Sequence, residues 1–182
     1  MDIFLVRHGE AAASWGQESD PGLSELGREQ AEQAARGLLG QLPDDVRLIS
    51  SPLARAQETA VPLARELGAQ VAIDDAYREI PSPVPLAERQ DWLRAFMGQQ
   101  WAEQGKELHQ WRQAMIDGLC ALEGPVVIFT HFLVINTVVG HALDRLETLS
   151  FFPGNGSVTQ LCRSGDNLHL VALGDQMESV VN

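Results

Sequence analysis

The sequence predicts an α/β fold of one domain, with a mostly parallel sheet flanked by helices on both faces and a C-terminal hairpin. Two wholly apolar runs, residues 3–6 and 126–129, are typical of strands covered on both faces. Helically spaced segments alternate with such runs, and this alternation favours parallel strands joined by crossover helices. A chain of 182 residues, of which 45% are hydrophobic, is large enough for one core.

The first half of the chain repeats the order strand, loop, helix. Residues 3–6 predict the first strand, and Ser24 is placed to cap a helix. The apolar stripe of that helix consists of Ala31, Ala34, Ala35, Leu38, Leu39 and Leu42. Residues 46–49 predict a second strand, and residues 53–67 a second helix with Gly68 as its stop.

A proline-rich segment then interrupts the repeat. A short strand is predicted at residues 71–73, and three prolines between residues 81 and 85 exclude helix and predict a rigid loop. Residues 86–123 have the spacing of two helices, which Gly124-Pro125 would end. We therefore expect one domain over residues 1–182, in which residues 75–123 form a helical cap over the cleft.

The last third of the chain returns to strands. Residues 126–129 predict a strand, and residues 132–143 a helix. Residues 158–163 and 168–173 predict two strands joined by Ser164-Gly165-Asp166-Asn167, which is typical of a hairpin.

The net charge, the lack of long apolar runs and the cysteines limit the partners and the cellular location that we expect. Acidic residues number 25 and basic ones 13, giving a net charge of −12, and this balance disfavours nucleic acid as a partner. No apolar run approaches the ~18 residues that cross a membrane, and the N-terminus lacks the features of a signal peptide. Cys120 and Cys162 form neither a disulfide framework nor a CxxC pair, so we expect a reducing, cytoplasmic location without membrane attachment.

Polar motifs follow three of the predicted strands. Arg7-His8-Gly9 follows the first, Arg55 lies shortly after the second, and Thr130-His131 ends the strand at 126–129. Ligands of open α/β sheets bind at the carboxyl ends of strands, so two histidines and two arginines should share one cleft. Arginine forks match a phosphate group. The histidines could bind a metal, act as nucleophiles or transfer protons; metal binding is disfavoured because no third ligand stands at suitable spacing and cations lie nearby.

Longer motifs carry a resemblance to a known family. They read LVRHGE from Leu5, LSELGR from Leu23, SSPLARAQETA from Ser50, YREI from Tyr77, VIFTH from Val127 and NGSVT from Asn155. This ordered set resembles the histidine phosphatase superfamily, whose fold is phosphoglycerate mutase-like. The resemblance spans most of the chain.

The resemblance implies roles for individual residues. His8 would attack phosphorus, while Arg7, Arg55 and His131 would bind the phosphoryl oxygens, and Glu79 would donate a proton to the leaving group. No metal and no organic cofactor is implied. The catalytic residues are thus His8, Glu79 and His131, and the predicted phosphate-binding residues are Arg7, Arg55 and Ser14.

Some positions depart from the family pattern. Ser14 stands where many members have asparagine, and Phe132 replaces the glycine after the second histidine. Pro81-Ser82-Pro83 replaces a glycine and tryptophan segment, which affects the placement of Glu79. Ser14 keeps a donor and Phe132 keeps its backbone N–H, so no catalytic group is lost.

The resulting expectation is a phosphomonoester hydrolase that forms a phosphohistidine on His8 and acts on a small phosphorylated metabolite or, alternatively, a phosphoprotein. Mutases of the family carry longer insertions between the acid and the second histidine than this chain has. A phosphatase is therefore favoured, and a phosphoglycerate mutase-type phosphotransferase is the second hypothesis. A catalytically silent phosphate-sensing or protein-binding module is the third. The sequence does not indicate an oligomeric state.

Simpler interpretations exist for several side chains. His8 and His131 could be hydrogen-bonded core histidines, Arg55 could pair with Glu58, and Glu79 could be solvated or pair with Arg78. The remaining histidines are interpreted as structural; the large aromatic residues of the cap are interpreted as core residues, with contact to the substrate over the cleft as the alternative. These are His109, His141, His169, Trp92, Phe96, Trp101 and Trp111.

Overall fold

The computed structural model describes residues 1–13 and 20–177. Its strands are β1 (Asp2–Arg7), β2 (Arg47–Ser50), β3 (Val71–Ile73), β4 (Val126–Thr130), β5 (Val158–Ser164) and β6 (Asn167–Ala172). Its helices are α1 (Glu25–Leu39), α2 (Ala54–Leu67), α3 (Arg89–Met97), α4 (Lys106–Ala121) and α5 (Phe132–Ala142). Short 3-10 turns occupy Asp75–Tyr77, Leu86–Glu88 and Trp101–Glu103.

The six strands form one sheet in the order β3-β2-β4-β1-β5-β6. The pairs β2/β3, β2/β4 and β1/β4 are parallel, whereas β1/β5 and β5/β6 are antiparallel. The mostly parallel sheet and the C-terminal hairpin are therefore confirmed.

Strand β1 shows why helices are needed on both faces. Ile3 and Leu5 belong to a core cluster with residues of α4 and α5, whereas Phe4 and Val6 belong to a second cluster with α1 and α2. Successive side chains of a strand point to opposite faces. All four are almost fully buried, so the apolar run has a core on each side, as predicted.

Local signals in the sequence set the helix ends. The Ser24 hydroxyl accepts a hydrogen bond from the Gly27 N–H at 2.9 Å and caps α1. Gly68 closes α2 in the left-handed conformation at φ 61°, which glycine adopts without strain. Helix α4 ends at Ala121, three residues before Gly124-Pro125, because Leu122 already has extended backbone angles.

The segment between β3 and β4 has an apolar cluster of its own. Phe96, Trp101 and Leu108 are buried there together with Ile80 and with Leu133 of α5. The interpretation of Phe96 and Trp101 as core residues is confirmed. Trp92 and Trp111 pack against this cluster but are only partly buried.

None of the described helices is long and apolar enough to cross a membrane.

Candidate active site

Three neighbouring parallel strands bring the predicted site together. In the order β2-β4-β1, Ser50 is level with Phe129, and Thr130 with Arg7, so the strands end at the same edge of the sheet. The chain leaves these ends at Ser51, His131 and His8. Their convergence follows from the topology, as expected for the carboxyl edge of a parallel sheet.

Hydrogen bonds determine which nitrogen of His8 carries the proton. The Arg55 Nε–H donates to His8 Nε2 at 3.2 Å, and His8 Nδ1 lies 2.7 Å from the Gly9 carbonyl oxygen. A guanidinium can only donate, so Nε2 is the acceptor and the proton sits on Nδ1. The Nε2 lone pair is therefore directed toward Arg55.

The surroundings keep this imidazole neutral. Burial lowers the pKa of His8 to about 3, with Arg55 and Arg7 acting in the same direction and the Gly9 carbonyl opposing them. Burial is the largest of these causes. At neutral pH, His8 has an unprotonated nitrogen.

Two contacts that the sequence analysis did not assign hold the His8 loop. The Thr59 hydroxyl of α2 accepts from the Gly9 N–H at 3.0 Å and donates to the Arg55 carbonyl at 2.6 Å. The Asn155 amide donates to the His8 carbonyl at 3.2 Å. Both residues lie inside quoted motifs, so the motifs marked them without indicating what they contact.

Gly9 is required by a close approach of two backbones. A Cβ atom at Gly9 would lie 2.3 Å from the carbonyl oxygen of Gly27, at the start of α1. No side chain fits in that space. The glycine of the RHG motif therefore allows the loop to pack directly on the helix.

Arg7 lies at the end of β1 beside two aromatic rings. Its Nη1 donates to the Pro153 carbonyl at 2.7 Å, and its guanidinium carbon is 5.1 Å from the centroid of the Phe132 ring. Phe132 in turn packs 6.0 Å from Phe152. Burial lowers the pKa of Arg7 to about 10, so the guanidinium stays charged at neutral pH.

Arg55 does not pair with Glu58. Its Nη1 lies 3.9 Å from Asp20, and the Glu58 carboxylate instead accepts from the Leu23 N–H at 2.8 Å. Asp20 also accepts from the Ala54 N–H at 2.9 Å, at the start of α2. The interpretation of Arg55 as the partner of Glu58 is wrong, because the Glu58 carboxylate holds the loop before α1.

His131 is fully buried at the end of β4. Its Nε2 lies 2.7 Å from the Ser51 hydroxyl, and its ring centroid is 5.2 Å from that of His8. Burial lowers the pKa of His131 well below its ordinary value, and the charge interaction with His8 acts in the same direction. Among the described residues, its Nδ1 has no hydrogen-bond partner.

Glu79 is buried, with 6% of its surface exposed. Its carboxylate accepts from the Ile80 N–H at 2.9 Å. Burial raises its pKa, while the Ile80 amide and then Arg55 oppose the shift. The alternatives of a solvated carboxylate or a pair with Arg78 are wrong, because Arg78 pairs with Asp75 at 2.8 Å.

A side-chain hydrogen bond joins the Glu79 segment to the end of β4. The Thr130 hydroxyl, at the end of β4, donates to the Tyr77 carbonyl at 2.7 Å. Arg89 of α3 donates to the Ile80 carbonyl at 3.0 Å from the other side. The segment that begins the proline loop is therefore held by a hydrogen bond on each side of Glu79.

Ser14 lies outside the described residues, so its predicted contact with phosphate stays a prediction. Across residues 1–13 and 20–177, no three histidine, cysteine or carboxylate side chains are grouped as the ligands of a metal ion would be. Chemically, the arrangement combines a neutral imidazole, two cationic guanidinium groups and a buried carboxyl group.

Two curated relatives share part of the sequence. A probable phosphoglycerate mutase of Erwinia tasmaniensis is 33% identical over 125 residues, which is 65% of this chain and 51% of that protein. A glucosyl-3-phosphoglycerate phosphatase of Mycolicibacterium vanbaalenii is 40% identical over 81 residues, 42% of this chain and 35% of that protein. The aligned part thus spans about half of the first relative's length and about a third of the second's.

Solved structures match nearly the whole chain. The mycobacterial glucosyl-3-phosphoglycerate phosphatase, in a complex with VO3, has a TM-score of 0.72 at 25% identity and covers 94% of this chain and 98% of its own. Phosphoserine phosphatase from Entamoeba histolytica, in complex with 3-phosphoglyceric acid, has a TM-score of 0.74 at 22% identity, with coverage of 96% and 97%. The second likeness supports the fold alone.

The family comparison agrees with the order of motifs along the chain. The model of the histidine phosphatase superfamily (branch 1) matches residues 3–176, which includes every element from β1 to β6. With the RHG loop, the second arginine and the second histidine at one edge of the sheet, this match shows that the chain belongs to the histidine phosphatase superfamily, branch 1.

Proposed function

We propose that this protein is a cytoplasmic phosphatase that hydrolyses phosphomonoesters through a covalent phosphohistidine on His8. The observation that carries the proposal is the tautomer of His8, whose Nε2 accepts from Arg55 while Nδ1 donates to Gly9. An imidazole held in this way is neutral and presents a lone pair at a cationic site. The free state of both cysteines fits a reducing compartment.

In the first step the phosphoryl group binds against the cations, and His8 attacks it in line. A bond forms between phosphorus and Nε2 while the bond from phosphorus to the alcohol oxygen breaks. Arg7 and Arg55 stabilise the equatorial oxygens, and this positioning accounts for most of the rate enhancement. Glu79 gives its proton to the departing oxygen, which requires the raised pKa that burial supplies.

His131 contributes a neutral N–H to the same oxygens. The Ser51 hydroxyl accepts from the Leu53 N–H at 3.3 Å, and in the arrangement we propose it donates its own proton to His131 Nε2. In that arrangement the His131 proton sits on Nδ1, the nitrogen that has no partner among the described residues. Nδ1–H is then available to the phosphoryl group.

In the second step water replaces the histidine. The Glu79 carboxylate takes a proton from the attacking water, a bond forms between phosphorus and the water oxygen, and the bond to Nε2 breaks. The lone pair returns to His8, and phosphate leaves. Atoms and protons balance over the two steps without a metal or an organic cofactor.

Residues 75–123 act as a cap that supplies the proton donor. Two features support this role: Glu79 lies within the segment, and its neighbour Ile80 belongs to the same apolar cluster as Phe96 of α3 and Leu133 of α5. Leu133 is two residues from His131. The cluster therefore connects the cap to the end of β4.

The proposed substrate is a small phosphorylated metabolite. The names of the two phosphatases among the compared structures refer to a glucosyl-phosphoglycerate and to phosphoserine, both small phosphorylated molecules. A phosphoprotein is the second choice of substrate. Because several relatives are described as probable phosphoglycerate mutases, phosphoryl transfer back to an organic acceptor is the second candidate function.

A screen of phosphomonoesters tests the proposal. Sugar phosphates, phosphoglycerates, nucleotides, phosphoamino acids and phosphopeptides are incubated with the protein in EDTA, and inorganic phosphate is measured. We expect release from at least one small metabolite, and none with His8→Ala. Binding without release would favour the silent module, while isomerised phosphoglycerate without free phosphate would favour the mutase.

A further inference from the structure

A groove of about 450 Å³ lies between α4 and α5, away from the site described above. His141 lines it near the end of α5, ten residues after His131. At about 1.5 Å per residue, the two histidines are about 15 Å apart along the helix axis. The groove is therefore a separate feature, which we call the α4–α5 groove.

The side chains that line the groove carry hydrogen-bond donors and positive charge. They are Lys106, His109, Gln110, Arg112, Gln113 and His141, together with one isoleucine. Lys106 is the single lysine of the chain, and His109 and His141 are two of its five histidines. No carboxylate belongs to the lining, although acidic residues outnumber basic ones 25 to 13 in the chain.

Helix geometry explains how α4 presents these groups together. Lys106, Gln110 and Gln113 follow the spacing i, i+4, i+7, which places side chains on one face of a helix. Lys106 is also the first residue of α4, where the helix dipole favours negative charge. An anion in the groove would meet the charge of the lysine and the positive end of the helix from the same side.

Arg112 is held in place without a carboxylate. Its guanidinium carbon lies 4.5 Å from the centroid of the Trp101 ring, and Trp101 is itself buried with 4% exposed. Arg65, Arg78 and Arg94 each pair with an acidic side chain, whereas Arg112 has no such partner among the described residues. A half-buried guanidinium stacked on a fixed ring loses little freedom on binding, which favours anion recognition.

One histidine lines each side of the groove: His109 on α4 and His141 on α5. The His109 ring lies 6.1 Å from Trp101, next to Arg112. Burial lowers the pKa of His141, Arg112 acts in the same direction, and Asp144 opposes both. An incoming anion would have two acids near it: Asp144, whose charge acts on His141, and Asp117, which accepts from the Gln113 amide at 2.8 Å.

We propose that the α4–α5 groove binds a small polyanion, a metabolite with several phosphoryl or carboxylate charges, at a site distinct from the catalytic one. Arg112 would provide a forked contact and Lys106 a point charge, while the two glutamines and two imidazoles would provide further hydrogen bonds. The proposal does not depend on the reaction assigned to His8, because it uses none of the catalytic residues.

Histidine NMR tests the groove and the active site in one experiment. The wild-type protein is titrated with pyrophosphate or with citrate at constant ionic strength, and the Hε1 signals of the five histidines are followed. We expect the signals of His109 and His141 to shift together and to saturate with a Kd of about 1 mM or below. His169, exposed on β6, should not shift, and His8 and His131 report binding at the active site separately.

Two variants distinguish specific binding in the groove from a general electrostatic attraction of anions to the protein surface. Arg112→Gln should weaken binding about tenfold or more, the loss of one charge-assisted contact. Arg94→Gln, which removes a similar charge from an exposed helix position, should leave the affinity unchanged. If Arg112→Gln fails to fold, Lys106→Gln at the exposed helix start replaces it, with a weakening of at least about threefold.

The two probes also identify the ligand chemistry. Saturation by pyrophosphate alone indicates phosphoryl groups, saturation by citrate alone indicates carboxylates, and saturation by both indicates charge as the common feature; each supports the site. Shifts that rise linearly without saturation for both anions, or an unchanged affinity in both Arg112→Gln and Lys106→Gln, would overturn it.

Discussion

The active site has a strand-end side, formed by His8 and His131, and a Glu79 side, formed by the segment after β3. Burial shifts the pKa values of the titratable groups on both sides. His8 and His131 follow β1 and β4, where burial lowers their pKa values and keeps them neutral. Glu79 lies in the irregular segment after β3, where burial raises the pKa of a carboxyl group. Loss of solvation thus favours neutral imidazoles on one side and a neutral carboxyl group on the other, because it always disfavours the charged form.

Of the substitutions that test this comparison, we expect Glu79→Gln to have the largest effect on activity. A general acid contributes roughly a hundredfold to ten-thousandfold when the leaving group is a basic alkoxide. We expect Glu79→Gln to reduce kcat for a sugar phosphate by a factor in that range, while p-nitrophenyl phosphate, with its weakly basic leaving group, is affected much less. The measurement is the ratio of the two losses.

Asp75→Asn is the matched control, since Asp75 is exposed and paired with Arg78 on the same segment. It should leave the ratio near that of the wild type. Equal loss of both substrates in Glu79→Gln, or no loss of either, would assign the proton donor to another group.

A smaller effect should arise on the strand-end side from Thr59, which positions the His8 loop. Thr59→Val removes the acceptor of the buried Gly9 N–H and the donor to Arg55. We expect kcat to fall by about tenfold, the equivalent of about 1.4 kcal/mol, with both substrates affected alike. Thr59→Ser, which keeps the hydroxyl, should restore most of the activity.

Thr159→Val is the control for Thr59. Thr159 is also a buried threonine, and it accepts from the Gly174 N–H at 3.2 Å in β5. It should lose stability in the same way without a comparable fall in kcat. If both valine variants lose equal activity, Thr59 acts through stability rather than through the position of His8.

The smallest expected effect concerns stability against pH. An unfolded histidine binds a proton below about pH 6.5, whereas His8 in the folded protein does so only near pH 3. Between these values the unfolded state binds more protons, so stability falls as the pH falls. His8 alone should lower the free energy of unfolding by about 2 kcal/mol between pH 7 and pH 5, and His131 acts in the same direction.

Urea unfolding of the wild type and His8→Gln at both pH values measures this contribution. The variant should lose less stability on acidification than the wild type. An identical pH dependence in the two proteins would mean that His8 is not held neutral by the fold.

The positions of His8 and His131 could be predicted from the sequence, whereas the burial of Glu79 could not. Apolar runs ending in Arg7-His8 and Thr130-His131 predict both the strands and the edge at which they meet, because parallel strands impose that edge. The position of Glu79 rests on tertiary contacts such as the bond from Thr130 to the Tyr77 carbonyl, which joins residues 53 positions apart. No local pattern indicates such a contact.

The α4–α5 groove was missed for a related reason. His109 and His141 were interpreted as structural residues, and their separation along the chain does not show that α4 and α5 lie side by side. The single lysine was a visible signal, but its meaning depends on which side chains from another helix face it. The contacts of Thr59 and Asn155 could not be predicted for the same reason. Both residues lie in motifs that the sequence shows, but their hydrogen-bond partners are set by tertiary packing.

The most direct test of the central claim is to trap phosphate on the protein. Wild type, His8→Ala and His131→Ala are mixed with a ³²P-labelled substrate found in the screen, quenched rapidly in base to preserve phosphohistidine, and analysed by mass spectrometry of the peptide containing residue 8. We predict acid-labile, base-stable label on His8 of the wild type and none on His8→Ala. Equal labelling of wild type and His8→Ala, or label confined to another residue, would contradict the account.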